Sequence, residues 1–190
     1  MEASSRFNVR EEAVAWLDEE LRLMNQNGAH WVKDHYAQFI GEDRQMVMCI
    51  KGASNYVLFK KVSTLDKFKF NLKRALGLYN DDTEEIEDFM LVEALESSEM
   101  LREAAGSKAQ RWIKVQDAVE IALNMAMDEQ GHSSKGVTNP ASGETNITSF
   151  NDSENTDWED IVAVHERAKE LVAKRSPLTW ETYGKQLLKS

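Results

Sequence analysis

The side chains of this chain best suited to ligate a metal or attack an electrophile are four histidines, His30, His35, His132 and His165, and one cysteine, Cys49. His30 and His35 are five residues apart, well over one helical turn, a spacing that serves shared ligation from one helix poorly. His165 stands beside Glu166 and within reach of Asp157 or Asp160 on the same predicted helix, but helix faces often carry such groups without chemistry. Cys49 sits in the apolar run "MVMCI", where a buried inert thiol is expected rather than a nucleophile. A lone cysteine also excludes a disulfide framework and a cysteine-based zinc site. No glycine-rich phosphate loop, GxSxG elbow or HExxH motif occurs. The carboxylates form no recognisable acid pair, because the separation such a pair needs is not written in sequence. The chain therefore reads as non-enzymatic, with no metal and no cofactor.

Charge is the more informative chemistry. The chain carries a formal net charge of -10, yet from Lys51 to Arg74 it holds Lys51, Lys60, Lys61, Lys67, Lys69, Lys73 and Arg74 against Asp66 alone, a local balance of +6. From Asp81 to Glu99 nine acids occur with no Lys or Arg. Clustered lysines can bind phosphates of RNA, DNA or an anionic membrane surface by displacing condensed counterions. Tyr56 and Phe59, within the basic block, are candidate contacts for stacking on unpaired bases. A second reading makes these lysines an ordinary solvated face that pairs weakly with the acidic helix, worth about 0 to 1 kcal/mol per exposed pair. A third uses both fields, since a basic surface beside an acidic one is self-complementary between copies and drives head-to-tail assembly. In that case charge sets orientation while buried apolar anchors supply affinity. The five tryptophans, Trp16, Trp31, Trp112, Trp158 and Trp180, all fall on predicted apolar faces and are expected in the core.

The elements that must position these groups follow from periodicity. Asn8 and Glu11 form a capping-box pattern, and Val9, Ala13, Trp16, Leu17, Leu21 and Met24 recur at helical spacing up to Gly28. Trp31, Val32, Tyr36, Phe39 and Ile40 predict a second helix over 29–40, stopped by Gly41. "MVMCI" and "YVLFKKV", separated by the turn-like 51–55, predict a small β-hairpin near 46–62. Ser63 and Asp66 then open a helix through Leu65, Phe68, Leu72, Ala75, Leu76 and Tyr79, the helical period outweighing the alternation in "KFKFNLK". Acids favour a helix start at "DDTEEIEDFMLVEAL", which continues with Ile86, Phe89, Met90 and Leu91. Further helices are expected over 98–105, around Trp112 to Ala126, from Asp157 through Val172, and finally through Trp180, Tyr183 and Leu187.

Residues 132–156, dense in Ser, Thr, Asn and Gly with one aromatic, predict a flexible polar connector. The expected organisation is thus a mainly α, single helix-rich globular domain of about six to seven helices with a small β-hairpin. Residues 1–131 form its helical core, 132–156 the connector, and 157–190 C-terminal helices packing on the same core. Asn146-Ile147-Thr148 and Asn151-Asp152-Ser153 fit the glycosylation sequon as chance matches.

No apolar stretch approaches the roughly 20 residues needed to span a bilayer, and "MEASSRFNVREE" lacks the features of a signal peptide. An intracellular, cytoplasmic location is expected, in a host cytoplasm or virion if the protein is viral. The functional expectation is an interaction or self-assembly protein, structural or scaffolding, of a kind that suits a viral or phage component. It would form a homo-oligomer or bind a protein partner, with the basic segment facing a phosphate-bearing or acidic surface. The alternatives are an RNA/DNA-binding accessory protein, or an acidic inhibitor or decoy that occupies another protein; the basic block argues against the decoy.

Overall fold

A computed structural model describes residues 7–25, 30–65, 67–78, 88–132, 147–174, 178, 179, 181 and 183. Asn8 begins α1 (Val9–Met24) by accepting from the Arg10 amide at 3.1 Å, and Ala13, Trp16, Leu17 and Met24 turn inward as their spacing requires. The expected helix over 29–40 does not form. Trp31 makes a parallel bridge to Met48, and Ala37–Ile40 is strand β1, paired antiparallel with β2 (Gln45–Met48) from Ala37 opposite Met48 to Ile40 opposite Gln45. Gly41, with φ +71°, belongs to the connecting turn. The helical spacing of Trp31, Tyr36 and Phe39 was coincidental, because these residues pack from both extended chain and strand.

The chain is mainly helical with one small two-stranded hairpin among the described residues, as expected, but the hairpin lies earlier than 46–62. Only its β2 strand falls in that range. "IKGASNYVLFKKV" is α2 (Ile50–Val62), a helix buried on nearly every side: Ile50, Gly52, Ala53, Ser54, Asn55, Val57, Leu58 and Val62 are all inside. A helix enclosed all round shows no polar–apolar stripe, which is why its period is hidden.

Downstream, α3 (Phe68–Ala75) buries Phe68 and Leu72, confirming the helical over the alternating reading. Its N-cap is Lys67 in the left-handed region, φ 64°, and the proposed start at Asp66 lies outside the described residues, as do Tyr79, Ile86 and the acids before Asp88. Next come α4 (Asp88–Leu95) and α5 (Ser98–Ala105), the latter capped by Ser97 and ended by Gly106 at φ 61°. A 3-10 turn (Gly106–Ala109) leads into the long α6 (Gln110–Glu129).

Helices α1, α6 and α8 (Trp158–Lys174) pack on one another, and α2 lies against α1, α5 and α6. Both α3 and α4 lean on α5. Trp16 and Trp112 are buried, Trp31 and Trp158 are half-buried against the same core, and Trp180 lies outside the described residues. Of the C-terminal segment, Tyr183 is buried and donates to Asp128 Oδ2 at 3.1 Å; Leu187 is outside the described part.

The end of the expected 132–156 connector is not a connector. Ile147–Asp152 forms α7, which buries Ile147, Phe150 and Asn151; residues 133–146 lie outside the described part. Asn151 uses its whole side-chain amide: Oδ1 accepts from Trp31 Nε1 (2.7 Å) and the Ile50 amide (3.2 Å), and Nδ2 donates to Val32 O (3.0 Å) and Asp152 Oδ1 (2.8 Å). Lys33 Nζ adds bonds to Ser153 O and Thr156 O. A buried asparagine so engaged is no glycosylation acceptor in the folded chain. Asn151→Ala should strand several buried partners and lower stability by about 2–3 kcal/mol, read as a lower urea midpoint at unchanged slope.

Candidate functional site

The basic block does not form one open surface. On α2, Lys51 is paired with the buried Glu120, Lys60 with Glu19 at 2.8 Å, and Lys61 with Glu12 at 3.4 Å, where it also lies 4.5 Å from the Trp112 ring centroid. Glu19 is shared with Arg22, whose hydrogen bond, aided by Lys60, holds the Glu19 carboxyl down at about 2 against the opposing effect of burial. A groove of about 390 Å³ between α1 and α2 is lined by Trp16, Glu19, Lys60 and Lys61, among others, but its two lysines are the ones already engaged by carboxylates.

The aromatic contacts expected at Tyr56 and Phe59 are also absorbed by packing. Both are half-buried, they stack on each other at 6.3 Å, and Phe59 meets Phe68 edge-on at 5.8 Å. They are not open shelves for a base.

What remains of the block is the outer face of α3. Lys73 is buried. Lys67, Lys69 and Arg74 are exposed and make no ion pair among the described residues. Phe70, which sequence reasoning passed over, stands among them 67% exposed. Lys67, Phe70 and Arg74 recur at i, i+3 and i+7 and so share one side of the helix. That spacing was available in the sequence, but nothing there showed that α5 supports the opposite side through Phe68 and Leu72. Asn71 Nδ2, donating to Ala104 O at 3.0 Å, fixes the rotation of α3 on α5.

The groups considered for catalysis are dispersed. Cys49 caps α2 by accepting from the Gly52 amide at 3.3 Å, and burial pushes its thiol up to about 11, so it stays protonated at neutral pH. His35 is exposed, and His132 lies 3.9 Å from Asp160. Asp157 and Asp160 accept from each other's amides at the start of α8. His165 faces neither of them, nor Glu166, which is exposed and bonded to Lys169.

Instead His165 meets Glu20 of α1, 145 residues away, Nε2 to Oε2 at 3.2 Å, with both side chains fully buried. Its Nδ1 lies 2.8 Å from Ile161 O, which can only accept, so Nδ1 carries the hydrogen. In the neutral pair the protonated Glu20 carboxyl donates to Nε2. Burial pushes the Glu20 carboxyl up and outweighs the opposing hydrogen bond and charge of His165, favouring that arrangement. Only the tertiary contact of α1 with α8 reveals this pair.

Among the described residues no cluster of His, Cys, Asp and Glu is placed to hold a metal ion, and no helix is long and apolar enough to cross a membrane. The chain matches no protein-family profile, no curated protein and no solved structure.

Proposed function

We propose that this is a non-catalytic interaction protein whose α3 face receives an acidic, phosphate-bearing or otherwise anionic surface. One observation carries the reading: the cations of the basic block without carboxylate partners among the described residues, Lys67, Lys69 and Arg74, flank an exposed phenylalanine. Cations that are free of internal partners keep their charge for an encounter, and an aromatic beside them supplies the apolar anchor that charge alone lacks. The α2 lysines serve the fold instead, tying α2 to α1 and α6.

A second reading, an RNA- or DNA-binding accessory protein, is favoured by Phe70, because an exposed ring among cations is a platform for an unpaired base. The test compares the wild type with a variant in which Lys67, Lys69 and Arg74 are replaced by Glu. Mass by light scattering and binding of a labelled single-stranded oligonucleotide are both followed from low salt to about 1 M, where screening acts within ~3 Å. The wild type is expected to show at least one of the two associations at low salt, lost in high salt and in the variant. A wild type that is monomeric and ignores the oligonucleotide at low salt would remove the proposal.

A further inference from the structure

We infer that the α3 face of one copy docks against the α4 face of a second copy, so that the chain associates with itself. This rests on the reading of α3 as a docking face and adds its occupant. On α4, Phe89 is 56% exposed, and Phe89, Glu93 and Glu96 follow at i, i+4 and i+7, one side of the helix and the turn that continues it. This is the counterpart of Lys67, Phe70 and Arg74 in spacing, with the opposite sign of charge. Each stripe is built around one of the two most exposed large apolar side chains among the described residues.

The stripes do not satisfy one another within a molecule. Both helices rest on α5, yet no ion pair joins them among the described residues; Asp88 is instead engaged by Arg44 at 2.6 Å. Two α3 faces repel, and so do two α4 faces, which excludes a two-fold contact of either patch with itself. Opposite patches at different places on one chain either meet reciprocally across a two-fold axis, each α3 on the other copy's α4, or make a heterologous contact that closes into a ring or continues as a filament according to the rotation it imposes. A nucleic acid on α3 would leave the acidic, aromatic α4 face without a role and would be repelled by it. A second copy accounts for both.

Two variants of the full chain test this. One blocks α3 (Phe70→Ala with Arg74→Glu) and one blocks α4 (Phe89→Ala with Glu93→Lys); all four positions are exposed, and far-ultraviolet circular dichroism checks that each variant folds. Wild-type mass by light scattering should exceed the 21.7 kDa of one chain, rise with concentration and fall with salt. Each variant alone should be monomeric, and an equimolar mixture should form dimers and nothing larger, because each variant retains the half that the other lacks. Wild-type assembly unchanged in the α4 variant would overturn the inference, as would a wild type that stays monomeric at every concentration. If in either case the α3 variant loses oligonucleotide binding that the wild type shows, α3 remains a docking face and only its occupant is wrong.

Discussion

Gly52→Ala is expected to cost about 3 kcal/mol or more, or to abolish folding, although alanine normally improves a helix interior by about 1 kcal/mol over glycine. Gly52 lies in the first turns of α2, where a Cβ would stand 1.6 Å from the carbonyl oxygen of Tyr36. No side-chain rotation relieves that overlap, since the obstacle is backbone. The Tyr36 carbonyl is also held in place, accepting from the Cys49 amide at 3.1 Å at the junction between β2 and α2. Moving it away breaks that bond and disturbs the entry to β1. The measurement is the urea midpoint of the variant. If Gly52 lay in the turn of a hairpin over 46–62, alanine would be a mild change; a variant as stable as the wild type would therefore argue for that arrangement and against a helix seated on Tyr36.

The second large effect concerns Glu20 and His165. His165→Ala should lower stability by about 3 kcal/mol or more, combining a cavity with a stranded carboxyl whose Oε1 already has no hydrogen-bond partner. Glu20→Gln should cost far less, because the amide can still donate to Nε2. The two variants also separate in pH. The Glu20 carboxyl is raised above its ordinary value of 4.5 by burial, with a smaller upward push from Glu120 of α6, against the lowering effects of His165 and Ser54. The folded chain therefore keeps a proton that the unfolded chain releases, so this contribution is full below pH 4.5 and declines as pH rises toward the folded value.

The neighbouring Glu19 has the opposite sign. Its carboxyl, lowered to about 2, contributes stability above pH 4.5 that is lost as pH falls toward 2. Urea titrations across a pH series should show the decline above pH 4.5 in the wild type and its reduction in Glu20→Gln, with the acid limb below 4.5 retained. An unchanged slope above 4.5 in Glu20→Gln would mean that Glu20 is not the group responsible.

Neither effect was visible in the residue pattern, and the reason is the same in both. Local sequence reports one-sided burial well. In α1, α5 and α8 the apolar residues recur on a single face and Asn8 marks a start, while in α6, although it is buried all round over 118–127, Trp112, Val115, Val119 and Leu123 keep helical spacing, so these helices and the mainly helical class could be read directly. In α2 the same logic fails because Ser54 and Asn55 are buried with hydrogen-bond partners. Ser54 accepts from Trp16 Nε1, and Asn55 donates to Leu95 O and accepts from Gln116. Polar residues that find partners inside look, in sequence, like residues that belong outside.

The uneven charge, the lone cysteine and the predominance of helix were determined by the sequence alone, since each depends on residue identity or on spacing within one element. Which charges stay free was decided only by the tertiary structure. Lys51, Lys60 and Lys61 are engaged by Glu120, Glu19 and Glu12, 69, 41 and 49 residues away, whereas Lys67, Lys69 and Arg74 meet no such carboxylate among the described residues. A Coulomb interaction depends on separation in space, and chain folding brings together acids and bases that no window along the sequence can contain.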